Sequence, residues 1–285
     1  MNAWEGVFAH LDLRPKKPRT SGITMVIDKG QGLAATCDLL ELAGDYIDHW
    51  KLSFGTSALM SETLLRDKIA LLRARDICVY PGGTLAEYAV VTGRYREFVQ
   101  RARALGFNGL EISDGTISFS PSTRRDAIRY ALDMEFEVVS EVGKKHPADQ
   151  PGARALAELA LADIDSGARW VVIEGRESGK GVGVYDADGR VHEHDVDTIV
   201  SALDGHLQAL IWEAPLKCHQ AYFILRLGGD VSLGNIQPGE VLATEALRAG
   251  LRFETLGAVV TNREPNALSV AGCRSRLDYL NLAGS

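Results

Sequence analysis

The stretch Glu137-Val138-Val139-Ser140-Glu141-Val142-Gly143-Lys144-Lys145-His146 decides how this chain is read. It opens as a β-branched apolar run, the composition of a buried strand. It closes on a carboxylate, a glycine and two adjacent lysines. A strand delivers its last side chains to one spot, and a glycine lets the backbone leave sharply. Two neighbouring ammonium groups repel unless something anionic sits between them. The stretch is therefore either a solvated turn or one wall of a site that handles anions.

The same unit recurs on both sides. Upstream, apolar runs at 23–27, 46–52, 77–80 and 109–112 leave through Asp28-Lys29-Gly30, Ser53-Phe54-Gly55-Thr56, Pro81-Gly82-Gly83-Thr84 and Ser113-Asp114-Gly115-Thr116. Downstream, runs at 170–174, 210–213 and 230–233 leave through Gly175-Arg176-Glu177, Ala214-Pro215-Leu216-Lys217 and Gly234-Asn235-Ile236. Helical spacing fills the intervals at 33–42, 61–75, up to 105–106, from Pro121, at 153–162 and at 238–249. Residues 182–193 read as a small hairpin turning at Asp188-Gly189. Eight such units, about thirty residues apart and without a composition break, predict one (β/α)₈ TIM barrel over residues 1–285. It would carry a lead-in segment at 1–20 and the hairpin insert after strand 6. Alternation with helices makes the strands parallel. A doubly wound open sheet is the alternative. No GxGxxG or GxxxxGK[ST] supports a nucleotide loop.

Hydrophobic residues make up 46% and charged residues 24%, ordinary for a globular protein. The net charge of -7 argues against nucleic-acid and membrane-surface partners. No window reaches the roughly 18 apolar residues of a membrane span. Cys37, Cys78, Cys218 and Cys273 form no CxxC pair, which predicts buried free thiols in a reducing, cytoplasmic setting. The expected partners are small anionic molecules, and a homo-oligomer is left open.

Polar groups pile up just past the apolar runs, which a barrel brings together at its C-terminal mouth. They are Asp28 with Lys29, Lys51, Glu111 with Asp114, Glu141 with Lys144 and Lys145, Glu174 with Arg176, Glu213 with Lys217, and Asn235. Glu111, Glu141, Glu174 and Glu213 sit within or at the end of the runs, where a charge needs a partner or a metal. Carboxylates without histidine or cysteine favour a hard cation such as Mg²⁺, with Asp28, Glu111, Asp114, Glu141, Glu174 and Glu213 as candidate ligands. Arg176 and the lysines suit phosphate or carboxylate. Gly234-Asn235, before the helix at 238, stands where such barrels often bind phosphate. Trp50, Trp170 and Trp212 read as core, Arg124-Arg125 as an exposed helix face, and Cys218-His219 as neighbours too close in sequence to face each other as nucleophile and base.

Eight segments, in order, resemble the phosphosulfolactate synthase family. They include the segment from Lys17-Pro18-Arg19 to Asp28-Lys29-Gly30, Lys51-Leu52-Ser53-Phe54-Gly55, Pro81-Gly82-Gly83-Thr84, Glu111-Ile112-Ser113-Asp114-Gly115, Glu141-Val142-Gly143-Lys144-Lys145, Glu174-Gly175-Arg176-Glu177-Ser178-Gly179, Trp212-Glu213-Ala214-Pro215 and Leu233-Gly234-Asn235. The resemblance implies a barrel enzyme that adds sulfite to phosphoenolpyruvate with Mg²⁺, giving (2R)-3-phosphosulfolactate, an early step towards coenzyme M. It implies that Lys144 or Lys145 is the general acid, with Lys144 preferred here. Arg19, Lys29, Lys51 and Arg176 would bind the anionic groups, with Gly234 and Asn235 beside them. Two stretches depart from the family pattern, Cys218-His219-Gln220 and Phe253-Glu254-Thr255. They keep open a paralogue that adds another nucleophile to phosphoenolpyruvate, or a non-catalytic stress-associated relative.

Overall fold

The computed structural model describes residues 14–261 together with Trp4 and Val7; most of the lead-in, Cys273 and the C-terminal tail lie outside the described residues. Each apolar run becomes a short strand: β1 (Thr24–Asp28), β2 (His49–Leu52), β3 (Cys78–Pro81), β4 (Gly109–Ser113), β5 (Glu137–Val142), β6 (Trp170–Ile173), β7 (Leu210–Glu213) and β8 (Leu233–Ile236). The laddered pairs are all parallel, in the order β3-β2-β1-β8-β7-β6-β5-β4. This is a TIM barrel, with β3 and β4 meeting at the seam. There a side chain replaces the ladder: Asn108 Oδ1 accepts from the Val79 N–H at 2.8 Å and its Nδ2 donates to the Ile77 carbonyl at 3.3 Å.

Among the described residues, ten α-helices wrap the strands: α1 (Leu33–Ala43), α2 (Glu62–Arg73), α3 (Gly83–Val91), α4 (Tyr95–Leu105), α5 (Pro121–Asp133), α6 (Ala153–Ser166), α7 (Glu193–Ala202), α8 (Lys217–Leu227), α9 (Val241–Arg248) and α10 (Phe253–Thr261). The period-2 alternation of the strands sorts their side chains into two apolar compartments. Val26, Trp50, Leu52, Val79, Leu110 and Trp212 face the helices. Ile23, Met25, Tyr80, Val139, Trp170, Val172 and Ile211 fill the barrel. Burying each large apolar side chain stabilises by about 1.5–3 kcal/mol, and sidedness fixes the register. The insert closes as expected, with Tyr185 bridging antiparallel to Val191 and the Gly189 N–H donating to Asp186 O at 3.0 Å. No helix among the described residues is long and apolar enough to cross a membrane.

Four expectations need correction. The eighth strand begins at Leu233, three residues later than expected, so Gly234 and Asn235 lie inside β8 and not in a phosphate turn. A Cβ on Gly234 would stand 2.4 Å from Met25 Cε, so this glycine marks close packing in the barrel. The third unit carries two helices, α3 and α4, separated at Gly93 with φ of +68°. Arg124 is buried; its guanidinium pairs with Asp163 and Asp114. Cys37 and Cys218 are exposed, and Cys78 is the buried thiol among the described cysteines.

Candidate active site

Strand parity assembles the mouth. Ile27 and Lys51 are register partners, as are Ser113 and Glu141, and Glu213 and Gly234. The inward positions one level above the apolar filling thus carry Lys51, Glu111, Ser113, Glu141 and Glu213, joined by Glu174 just past β6. Lys51 Nζ lies 2.8 Å from Glu111 Oε1, 2.8 Å from Glu141 Oε2 and 3.4 Å from Glu213 Oε1. Lys145 Nζ lies 2.7 Å from Glu141 Oε1 and 2.6 Å from Glu174 Oε2. Ser113 Oγ donates to Glu141 Oε1 at 2.9 Å. The Gly175 N–H donates to Glu213 Oε2 and the Arg176 N–H to Glu174 Oε1, both at 2.8 Å.

Four buried carboxylates face two ammonium groups, which leaves two negative charges in excess. The protonation pattern follows from that. Burial opposes charge on both lysines, but their carboxylate neighbours outweigh it and hold Lys51 and Lys145 above the usual ammonium range. Burial raises Glu141 too, yet Lys145 and Lys51 together hold it well below the usual carboxylate range. Glu111 is pushed up to about 8 by burial, with Glu141 beside it. Glu174 is raised by burial and by the charges of Glu141 and Glu213. As a carboxylate, Glu111 has a buried Oε2 with no hydrogen-bond donor among the described residues.

That excess fits a divalent cation, since the donors are all hard oxygens and one is unsatisfied. Among the described residues, the one three-donor group with ligand atoms all within 4.8 Å lies elsewhere, at His49, Cys78 and Glu137. A pH dependence follows. Between its ordinary value and about 8, Glu111 keeps a proton in the folded state that the unfolded chain has lost, so stability falls as pH rises through that window. A cation bound there relieves the penalty and competes with the proton. If Mg²⁺ binds there, the rise in melting temperature at millimolar Mg²⁺ should grow from about pH 6 to about pH 9. A gain that is flat or shrinks over that range would remove Glu111 from the ligand set.

The mouth holds a cavity of about 280 Å³, lined among others by Lys51, Lys145, Glu111, Arg176 and Asn235. Gly82, Gly83 and Thr84, at the N-terminus of α3, also line it. A Cβ on Gly83 would stand 2.4 Å from Ser113 Cβ, so glycine lets the helix start come close to the carboxylates. Such a start offers free N–H groups and a positive dipole end. The pair Gly82-Gly83 before a helix is the signal for this, and reading it only as a strand exit misses it. Arg176 and Asn235 are held at φ of +57° and +56°, a left-handed conformation costly for a side-chain-bearing residue. Asn235 Oδ1 is buried without a hydrogen-bond partner among the described residues.

Several residues expected at the site are elsewhere. Arg19 lies at the opposite rim, 2.8 Å from Asp48, the residue before β2. Asp28 is outward by parity and saturated: it accepts from Trp50 Nε1, from the Gly30 and Gln31 N–H groups and from Lys68 of α2. Asp114 pairs with Arg124 and with Lys144 Nζ at 2.9 Å, and neither Asp114 nor Lys144 lines the cavity. Lys145 is the lysine of the pair that does. Lys29 is exposed at the rim over the Phe54 ring, and Lys217 pairs with Glu254 at 2.6 Å.

Fold and site together define a TIM-barrel enzyme whose mouth combines acidic and cationic groups around a small cavity. A family model described as (2R)-phospho-3-sulfolactate synthase (ComA) matches residues 12–254. Phosphosulfolactate synthase of Methanothermobacter thermautotrophicus is 44% identical over 250 residues, covering 86% of this chain and 95% of that protein. That of Methanocaldococcus jannaschii is 43% identical over 240 residues, covering 84% and 95%. That of Bacillus subtilis is 38% identical over 249 residues, covering 86% and 96%. The chain belongs to the phosphosulfolactate synthase family. Among solved structures, 3-hexulose-6-phosphate synthase from Salmonella typhimurium superposes with a TM-score of 0.52 at 13% identity, covering 81% of this chain and 100% of that chain. An aldolase from Escherichia coli K12 gives 0.51 at 14% identity, covering 85% and 91%. At these identities the likeness concerns the fold.

Proposed function

We propose that the protein adds sulfite to phosphoenolpyruvate to form (2R)-3-phosphosulfolactate. The observation that carries this reading is the cavity where Lys145, Arg176 and the start of α3 stand against the carboxylate set. Arg176 has a two-pronged cation suited to phosphate or carboxylate, and the α3 N–H groups suit a second anionic group. The sulfur lone pair of sulfite attacks the methylene carbon of phosphoenolpyruvate. A C–S bond forms as the double-bond electrons move through C2 into the carboxylate, giving an aci-carboxylate. Lys145 then delivers a proton to C2, which restores the carboxylate and completes the addition. Its proton is tightly held while Glu141 and Glu174 are both charged beside it, and is released more readily when either is engaged elsewhere. Mg²⁺, if bound by Glu111, Glu141, Glu174 and Glu213, would supply positive charge against the doubly charged intermediate. The surrounding carboxylates and the apolar floor formed by Ile27 keep the cavity small.

The two stretches that depart from the family pattern do not line this cavity. His219 stacks on Tyr185 with centroids 4.0 Å apart, and Gln220 bonds Ala214 and Thr244. They therefore give no support to a different nucleophile. The purified protein, given phosphoenolpyruvate, sulfite and Mg²⁺, should yield one phosphorylated sulfonate and no free phosphate. Absence of that product, with turnover appearing for another nucleophile in the same assay, would overturn the reading.

A further inference from the structure

At the opposite end of the barrel, the first residues of three strands point inward together. His49 opens β2, Cys78 opens β3 and Glu137 opens β5. Their side-chain donors all lie within 4.8 Å of one another. β4 runs between β3 and β5, and its inward residue at this level is Gly109, the register partner of Glu137. A Cβ on Gly109 would stand 2.6 Å from Cys78 Sγ. The missing side chain is thus what lets a thiol from β3 and a carboxylate from β5 meet across β4. This is also the barrel seam, where β3 and β4 share the Asn108 amide in place of a ladder.

We propose that His49, Cys78 and Glu137 form a structural site for a borderline-soft divalent cation, Zn²⁺ by chemical class, that fastens the barrel across this seam. One sulfur, one imidazole nitrogen and one carboxylate oxygen make a donor set typical of zinc, and unlike the all-oxygen mouth. His49 Nε2 and Glu137 Oε1 are 3.4 Å apart, close to the ~3.3 Å that separates two ligands about 2.0 Å from a tetrahedral ion. Neighbours orient the ligands from behind. Tyr80 Oη lies 3.5 Å from His49 Nδ1, and Trp170 Nε1 donates to Glu137 Oε1 at 2.8 Å. Such outer partners set the tautomer of the histidine and the pose of the carboxylate. Glu137 is partly open to solvent, which admits a water as fourth ligand. Binding expels the thiol proton to solvent. Without a metal the same groups make a polar plug, with a neutral thiol against the Glu137 carboxylate.

Titrating the chelator-treated protein with Co²⁺ separates the two. The proposal expects one equivalent to give a near-ultraviolet thiolate-to-cobalt charge-transfer band. Cobalt at the mouth, ligated by oxygen alone, gives none. The band should persist in the Cys37→Ser/Cys218→Ser/Cys273→Ser variant. It should vanish in Cys78→Ser, with affinity at this site at least ~100-fold weaker. Zn²⁺ at a thousandfold excess over its Kd should raise the melting temperature by about 5 °C or more. Should Cys78→Ser fail to fold, Glu137→Gln, at a partly exposed position, must still weaken the band. No band in the wild-type protein, or one that survives Cys78→Ser, overturns the proposal.

Discussion

Lys145→Ala should lower turnover by about 10²- to 10⁴-fold, the range for losing a positioned proton donor, while phosphoenolpyruvate binding stays measurable. Lys145 is the cavity-lining lysine of the Val142-Gly143-Lys144-Lys145 segment, and its ammonium bridges Glu141 and Glu174. Lys144→Ala should cost less than about tenfold, since Lys144 bonds the side chain and carbonyl of Asp114 outside the cavity. Lys145→Arg is a sharper control. It keeps the charge but holds its proton far too tightly to serve as an acid, so binding should survive and turnover should not. Single-turnover kinetics separates the two effects. Among the other cavity groups, burial raises two carboxyls, Glu111 to about 8 and Glu174 beside it. If Lys145→Ala keeps turnover within tenfold of wild type and Glu111→Gln does not, the acid is Glu111.

The barrel and its acidic mouth are legible in the sequence because they rest on period-2 alternation and on the position of a charge relative to an apolar run. Glu111, Glu141 and Glu213 share the inward parity that Ile27 and Lys51 also hold, and all meet at one level. Asp28 looks alike but stands one residue past Ile27, so parity sends it outward to Trp50 and Lys68. Counting parity within β1 would have separated it from the others. Lys145 shares the parity of Glu141, and Gly143, at φ of +122°, does not change that outcome. Arg19 and Arg124 were illegible for a different reason. Their partners, Asp48 and Asp163, belong to other elements, and no local period encodes a pairing made by the closed barrel. Asn235 is intermediate. It is visible as a residue that tolerates a left-handed backbone, but its unpartnered Oδ1 follows from β8 starting at Leu233.

Arg124→Ala should destabilise the fold by about 3–5 kcal/mol, the cost of leaving buried charges uncompensated. The guanidinium, on α5, bonds Asp163 of α6 through Nε at 2.8 Å and Nη2 at 2.6 Å. It also bonds Asp114 at 2.9 Å and the Glu141 carbonyl at 2.8 Å, so one side chain ties two helices to the exits of β4 and β5. Burial opposes its charge, but Asp163 and Asp114 outweigh that and raise its pKa. Removing it strands Asp163, itself buried, and frees Asp114, which anchors Lys144 and the Phe119 N–H. Arg124→Lys should recover only part of the loss, because an ammonium cannot make the fork. Removing the stranded acid as well, as Arg124→Met with Asp163→Leu, should recover most of it, since well-packed apolar replacements of buried ion pairs are often neutral. Urea midpoints at constant slope give all three values. If Arg124→Ala shifts stability by less than about 1 kcal/mol, or the double variant is no better than the single, the buried network is not what holds the β4 and β5 exits in place.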